Sequence, residues 1–244
     1  MNKGVVSVLV AYLIWGLYPF YFHAMQHVAP TEIVIHRVLW TFALLAVYLF
    51  CSRRWRWIQK AITDRRTVAV FLMSSVLITA NWSTYTYAIV TNQTLEASLG
   101  YFMNPLVSVL LGTVFLKEKL NKAQMLAIVF ACAGVMWVTF KQGEFPALGL
   151  TLALSFGFYG LVRKMAPLGS LEGLTLETAF AFPVALLATF YFAGNGDLTF
   201  VHGTSWDKFW LIMAGPITTI PLILFAYGLK QVLSLIHISE PTRP

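Results

Sequence analysis

Charged residues are scarce in this chain. Only 11% of its 244 residues are Asp, Glu, Lys or Arg, whereas 58% are hydrophobic. Soluble domains carry about 25% charged residues, and a soluble core of this size could not bury so much apolar surface. The scarcity of charge therefore excludes an ordinary soluble domain and predicts a membrane protein.

Cysteines and catalytic motifs are also scarce. Cys51 and Cys132 lie in or beside apolar runs, which predicts neither a disulfide framework nor a cysteine-bound metal. The sequence contains no phosphate-binding loop, no His-Glu-x-x-His motif and no Gly-x-Ser-x-Gly motif. His23 and His27 have a metal-compatible spacing, but without a third ligand nearby we interpret them as a surface pair. These absences predict a protein that is not an enzyme and has no cofactor.

Long apolar runs are the dominant feature that is present. A helix that crosses a bilayer needs about 20 mostly apolar residues. Eight runs approach or exceed this length: Gly4–Phe22, Thr31–Cys51, Val68–Ile89, Thr94–Leu116, Ala123–Phe140, Ala147–Val162, Leu171–Ala193 and Trp206–Leu229. The alternating pattern of membrane strands is missing, so the predicted fold class is an all-α membrane protein.

Lysine and arginine are distributed unevenly among the predicted loops. If the spans alternate, 13 of the 17 cationic residues fall on one side of the membrane, and only Lys141 and Lys208 fall on the other. Cytoplasmic loops carry the excess of such residues, so the N-terminus is predicted to be cytoplasmic in a bacterial inner membrane. Because topology accounts for the net charge of +7, no nucleic-acid partner is predicted.

The sequence contains a weak internal repeat with a period of about 140 residues. The shift superimposes Trp15–Tyr18 on Phe156–Tyr159, Glu32 on Glu172, and Tyr87–Ile89 on Tyr227–Leu229. The first unit has five spans, and an odd number of spans inverts the second unit relative to the first. The predicted domains are therefore a five-helix repeat at 1–143 and an inverted, truncated repeat of three helices at 144–232.

The last residues of the chain break this repeat. Where the first unit continues into its fourth span, the second has Leu233–Pro244, which is similar to the translation of a common sequencing-library adapter. We interpret this segment as an artefact and exclude it from the fold; the alternative is a genuine amphipathic tail. On this interpretation two spans are missing, and a protein that ends at Gln231 is predicted to be inactive.

Several short strings carry a resemblance to a known family. They are Ala11–Gly16, Glu32 with His36–Val38, Asn81–Trp82, Leu95–Phe102, Asn104–Leu106 and Phe156–Lys164. These strings resemble the RarD group of EamA-domain proteins, in the drug/metabolite transporter superfamily. The resemblance implies ten helices in two inverted five-helix repeats, of which about eight are present here, with both ends cytoplasmic. It also implies transport of small organic molecules.

Ionisable residues inside the spans are the first functional candidates, because each costs at least about 2.5–3.5 kcal/mol in hydrocarbon. Glu32 and His36 share a face of span two, and Arg37 lies about 100° round the helix. Arg37 could bind a substrate carboxylate or pair with Glu96 of span four. Glu96 could instead couple a proton or be a solvated first-turn acid. His36 could titrate near neutral pH or be a hydrogen-bonded helix residue.

Span seven carries a further pair of acids. Glu172 and Glu177 are expected near the outer end of this span, with Glu172 at the interface. Glu177 occupies the position equivalent to Arg37 in the repeat. We therefore expect opposite charges on related faces, with Arg37 and Glu177 flanking one central cavity.

Polar and aromatic residues near the middle of spans three and four complete the candidates. A central Asn needs a polar partner in lipid, so Asn81 either joins helices or contacts a ligand. Asn104 precedes Pro105, which is expected to kink span four. Tyr18, Tyr101 and Tyr159 could line a cavity or simply pack.

These features favour a secondary transporter of small organic solutes or drugs, most simply an exporter that works by alternating access. Its predicted partners are membrane lipid, a small-molecule substrate and a candidate coupling proton. A non-transporting scaffold would not need buried charges, and a membrane-embedded enzyme would need a nucleophile–base pair or metal triad. The predicted pathway residues are Glu32, His36, Arg37, Asn81, Trp82, Glu96, Tyr101, Asn104, Tyr159 and Glu177.

Overall fold

The structure of the protein is a computed structural model, and helices account for all regular secondary structure in the residues that it describes. The structure describes residues 3–53, 55–115, 117, 120, 122–143 and 145–239, with side chains except at 123, 124, 142 and 226–239. Leu116, the predicted end of span four, lies outside the described residues, as do residues 240–244 of the interpreted artefact. The all-helical composition confirms the predicted fold class.

Eleven helices follow one another in the described ranges. They are α1 (Lys3–Gly16), α2 (Tyr18–His23), α3 (Pro30–Ser52), α4 (Arg56–Thr63), α5 (Arg65–Val90), α6 (Thr94–Phe115), α7 (Lys122–Gln142), α8 (Ala147–Lys164), α9 (Ser170–Asn195), α10 (Thr199–His202) and α11 (Ser205–Ser239). Each predicted span coincides with a helix, the first being shared by α1 and α2. Among the described residues, six of the eight predicted spans are long and apolar enough to cross a membrane: α1 with α2, α3, α5, α6, α9 and the first part of α11.

Local signals explain where several helices begin and end. Pro30 occupies the first turn of α3, where its missing N–H has no cost. The Asp64 carboxylate caps α5 by accepting the backbone N–H groups of Arg66 and Thr67. The Thr67 hydroxyl and backbone N–H bonds to this carboxylate lower the pKa of Asp64. Gly196 ends α9 with a φ of +76°, a conformation that glycine adopts without strain.

One compact unit, unit 1, combines Met1–Trp57 with Leu168–Pro244. Within it, α11 packs against α1 and α3, and α3 also packs against α9. Helices α3 and α11 approach closely at Gly215, where an added Cβ would lie 2.5 Å from the backbone carbonyl carbon of Trp40. Small residues allow this close approach of membrane helices.

The α3–α9 contact in unit 1 centres on two phenylalanines. The rings of Phe42 and Phe182 pack with their centroids 4.7 Å apart. These residues are separated by 140 positions, which is the period of the sequence repeat. Equivalent residues meet where a two-fold axis relates two packed elements. Such a contact is expected of an inverted repeat, which stays a prediction.

A second compact unit, unit 2, comprises Ile58–Pro167. Here α8 packs against both α5 and α6. An added Cβ on Gly100 of α6 would lie 2.9 Å from the carbonyl oxygen of Gly149 on α8, so the two backbones approach closely. Unit 1 takes helices from both predicted repeats, and so does unit 2, because helices from the two halves of the sequence pack together. The domain division at 143 stays a prediction.

Removing the Asn81 side chain is expected to loosen unit 2. Asn81 Nδ2 on α5 donates to the carbonyl oxygen of Leu152 and to Ser155 Oγ, both on α8, at 3.1 Å each. Hydrogen bonds between membrane helices contribute about 0.6–2 kcal/mol. Asn81→Ala should therefore lower the thermal unfolding temperature. Ser83→Ala is the matched control, because Ser83 Oγ donates within its own helix to the Thr79 carbonyl; equal stability of the two variants would contradict the prediction.

Candidate functional site

Arg37 is held inside unit 1 by polar and aromatic contacts. It lies seven residues after Pro30, the first residue of α3, and is only 5% exposed. Its Nε donates to Thr218 Oγ1 at 2.8 Å. The guanidinium carbon lies 5.7 Å from the ring centroid of Tyr18 and 5.9 Å from that of Phe22. Desolvated cation–π contacts contribute up to about 2 kcal/mol each, which offsets part of the cost of burying the charge.

The segment of α11 that meets Arg37 lies between two prolines. Pro216 and Pro221 both interrupt the hydrogen-bond ladder of the helix, and Pro221 leaves the Ile217 carbonyl without its usual donor. The Tyr18 hydroxyl donates to this carbonyl oxygen at 2.7 Å. The next residue, Thr218, accepts the bond from Arg37. The sequence interpretation missed Thr218 and this role of Tyr18, although the five-residue spacing of the two prolines marks the segment.

The first span is interrupted by a proline where it presents Tyr18. Helix α1 ends at Gly16, Leu17 follows in a turn with helical backbone angles, and α2 begins at Tyr18. Pro19 supplies no N–H, so the carbonyl of Trp15 loses its helical donor, whereas the N–H groups of Leu17 and Tyr21 keep their helical acceptors. Proline-interrupted spans often mark the binding sites of transporters. This interruption presents the phenol ring of Tyr18 to the Arg37 side chain.

Glu32 binds the connection between α9 and α11. It is 2% exposed, and it accepts the Thr199 N–H on Oε2 at 3.0 Å and the Phe200 N–H on Oε1 at 2.7 Å. These N–H groups belong to the first turn of α10, where no helical carbonyl can accept them. Glu32 therefore holds this connection against α3.

His36 is a hydrogen-bonded helix residue. Its Nδ1 accepts the indole N–H of Trp40 at 3.1 Å, and its ring packs on Phe200 at a centroid distance of 4.5 Å. An Nδ1 that accepts leaves the proton of a neutral imidazole on Nε2. Among the described residues, Nε2 is buried and has no hydrogen-bond partner. This geometry favours the second of the two interpretations made for His36.

Arg37 and Glu177 lie on opposite sides of the Phe42–Phe182 contact. Glu177 is 1% exposed, and each charged residue precedes its phenylalanine by five positions. Helices α3 and α9 are antiparallel here, because Leu49 lines the same surface depression as the start of α9. The two Cα atoms are therefore about 15 Å apart along the helix axes.

The placement of Glu172 corrects one expectation from the sequence. Six residues line one open surface depression: Leu49, Arg53, Arg56, Trp57, Leu171 and Glu172. Glu172 thus lies at the end of unit 1 that carries the basic loop after α3. The expectation that Glu172 and Glu177 lie near the opposite, outer end was therefore wrong, since Glu177 follows Glu172 by only five residues in the same half of α9. The reason is that span seven, when the spans alternate, begins on the side of the membrane that holds this loop.

Glu96 has a partner inside unit 2. Its Oε2 accepts the backbone N–H of Leu148 at 3.0 Å, in the first turn of α8. This N–H has no helical acceptor, so Glu96 binds the start of α8 in the way that Glu32 binds the start of α10. The structure thereby gives Glu96 a role in joining α6 to α8.

The remaining candidates lie in unit 2 with Asn81 and Glu96. Trp82 is buried, whereas Tyr101 is 55% exposed and packs edge-to-face on Tyr85 at 5.7 Å. Tyr159 is half-buried beside Phe156. The buried Oδ1 of Asn104 has no hydrogen-bond partner among the described residues. The structure thus divides the ten predicted pathway residues, with four in unit 1 and six in unit 2.

The chain is similar in sequence to one family of membrane transporters and to several of its members. Residues 2–140 match the EamA-like transporter family. The chain is 40% identical to the uncharacterized transporter YojE of Bacillus subtilis over 235 residues, which are 94% of this chain and 78% of that protein. It is 38% identical to Protein RarD of Escherichia coli K12 over 224 residues, or 92% of this chain and 76% of that protein. It is 28% identical to the chloramphenicol-sensitive protein RarD of Pseudomonas aeruginosa over 216 residues, covering 87% and 71%.

Proposed function

Because the chain belongs to the EamA-like transporter family, within its RarD group, we propose that it is a secondary transporter of small organic solutes. It is a multi-pass membrane protein. The proposed mechanism is alternating access, with export across the bacterial inner membrane as the direction and a cytoplasmic N-terminus.

The observation that carries this proposal is the setting of Arg37. A cation is buried where the first span, interrupted by Pro19, meets the segment of α11 between Pro216 and Pro221. Interrupted helices beside an intramembrane charge are typical of a solute site. A guanidinium group recognises carboxylates in a bidentate geometry, so the proposed solute carries a carboxylate or a similar acceptor pair.

Glu177 is the proposed coupling residue. Glu32 and Glu96 accept backbone N–H bonds at helix starts, so their contacts serve the fold. Glu177 is buried in the first third of α9 and is equivalent to Arg37 in the repeat. A buried carboxylate that changes its protonation during the cycle would couple solute movement to a proton gradient.

Solute flux distinguishes this proposal from the alternatives. The complete gene product is reconstituted into vesicles, and labelled organic acids and drugs are offered with and without a proton gradient. A transporter accumulates an unmodified solute, and a coupled one does so only with the gradient. A scaffold gives no flux, whereas an enzyme returns a chemically altered compound. Absence of flux for carboxylates and drugs alike would count against the proposal.

Tyr18→Phe is expected to slow transport without removing the protein from the membrane. The variant keeps the ring beside Arg37 but loses the hydrogen bond to the Ile217 carbonyl. Such a bond contributes about 0.5–1.5 kcal/mol, which corresponds to a two- to tenfold lower initial rate. The matched control is Tyr12→Phe on the same span, where the side chain is exposed. Equal rates for both variants would contradict a role for the Tyr18 hydroxyl.

A further inference from the structure

One end of unit 1 is tied together by tertiary hydrogen bonds. Glu32 binds the first two N–H groups of α10. Close by in the sequence, His27 Nε2 lies 2.9 Å from Asp207 Oδ1, and the Tyr21 hydroxyl donates to the Trp210 carbonyl at 2.9 Å. All of these contacts join the first two spans, or the connection between them, to the connection after α9 or to the start of α11. We call this region the tied end.

The opposite end of unit 1 carries a glutamate and two arginines in an open arrangement. Glu172 is partly exposed and lines the surface depression together with Arg53 and Arg56, whose side chains are exposed. Within the part of the chain that the structure describes, no salt bridge joins Glu172 to either arginine. We call this region the open end.

The two ends are equivalent in the sequence repeat. The shift of 140 residues places Glu32 on Glu172, and it places the connection after α3 on the connection after α9. The packed rings of Phe42 and Phe182, which are also 140 residues apart, lie between the two ends. Glu32 and Glu172 therefore lie at equivalent ends of the α3–α9 pair. Glu32 is bonded to the connection after α9, whereas Glu172 lies beside the connection after α3 without a bond to its described residues.

We propose that Glu32 and Glu172 are the equivalent latches of two gates. Glu32 closes the tied end in this structure by binding the connection after α9. In the alternate conformation Glu172 closes the open end by binding the connection after α3, where Arg53 and Arg56 lie, while Glu32 releases Thr199 and Phe200. Such an exchange is expected of an inverted repeat, because each repeat adopts the other's conformation in the opposite state. The inference rests on the alternating access proposed above.

Cysteine accessibility tests the exchange directly. In a background with Cys51→Ser and Cys132→Ser, Leu198→Cys reports on the tied end, where Leu198 is 3% exposed. Leu171→Cys reports on the open end in a separate protein. Both proteins are labelled with a hydrophilic maleimide in lipid nanodiscs, where both membrane faces are accessible. We expect Glu32→Gln to raise the labelling rate at 198 at least fivefold and to lower the rate at 171 at least twofold.

The opposite latch should give the opposite result. Glu172→Gln should lower the labelling rate at 198 at least twofold, because the protein then visits the state with an open tied end less often. Asp64→Asn is the control, since it makes the same chemical change at an exposed helix cap and should alter neither rate. Ala153→Cys in unit 2, which is fully buried, reports unfolding.

Three outcomes would overturn the proposal. A rise at 198 without a fall at 171 would mean that Glu32 only restrains a loop. An unchanged labelling rate at position 198 in Glu172→Gln would mean that Glu172 is not a latch. If Glu32→Gln exposes position 153 and is therefore unfolded, the Glu172→Gln measurement alone decides the test. Equal effects of Asp64→Asn would also refute the latches. Because labelling needs no solute, reciprocal labelling without flux would contradict the proposed transport instead.

Discussion

Arg37→Glu is expected to reduce solute transport at least 100-fold. The substitution removes the bond to Thr218 and the contacts with Tyr18 and Phe22, and it presents a like charge to a carboxylate-bearing solute. Hydrogen bonds to a charged group contribute about 1.5–3 kcal/mol each, so losing even one costs about 10- to 100-fold in rate. Initial uptake rates into vesicles measure the effect, normalised to the amount of folded protein.

Arg37→Lys and Lys141→Glu make this test specific. Lysine keeps the charge but not the planar fork, so Arg37→Lys should retain a small fraction of the rate. Lys141→Glu reverses an exposed charge at the end of α7 and should leave the rate unchanged. Glu177→Lys should abolish transport like Arg37→Glu. If both charge-reversal variants transport at the wild-type rate, neither residue belongs to the solute pathway.

Gly215→Leu is expected to prevent stable assembly of unit 1. A Cβ at this position would lie 2.5 Å from both the backbone carbonyl carbon and the Cβ of Trp40, so α3 and α11 would have to separate. Overpacking a core costs about 1–3 kcal/mol where side chains can move, and a backbone neighbour cannot move without the whole helix. We expect less folded protein after extraction from the membrane and a lower unfolding temperature for what remains.

Gly194→Leu is the matched control for this prediction. Gly194 lies near the end of α9, and nothing approaches the position of its added Cβ within 4 Å. Gly215→Ala should fall between the control and Gly215→Leu, because the first added carbon already clashes. Equal folding of Gly215→Leu and the control would contradict a close approach of α3 and α11 at Gly215.

The positions of the spans could be predicted from the sequence because they depend on a local property. A stretch of about 20 apolar residues must become a helix in hydrocarbon, whatever it packs against. Span two, predicted at Thr31–Cys51, forms helix α3 at Pro30–Ser52, and span four begins at Thr94 as predicted. The same reasoning identified Arg37 as a charge inside a span, since burial there follows from its neighbours in the sequence.

The partners of the candidate residues could not be predicted in this way. Arg37 bonds to Thr218, 181 positions later, and Glu32 bonds to residues 167 and 168 positions later. Neither pairing leaves a periodic or compositional trace. Glu172 was predicted at the wrong end of its span because it was given the same side of the membrane as Glu32, its equivalent in the repeat. In an inverted repeat, equivalent residues lie at opposite ends.

The sequence by itself therefore determined the class of this protein, the positions of its helices and the presence of charges within them. It did not determine the number of spans, since six of the eight predicted spans are long and apolar enough to cross a membrane among the described residues. Only the tertiary structure decided that α3 packs against α9 and α11, that Tyr18 binds the carbonyl beside Pro221, and that the two ends of unit 1 differ. The physical reason is that insertion into hydrocarbon depends on each segment's own composition. The choice of neighbour depends instead on side-chain shape and hydrogen bonds between segments that are far apart in the chain.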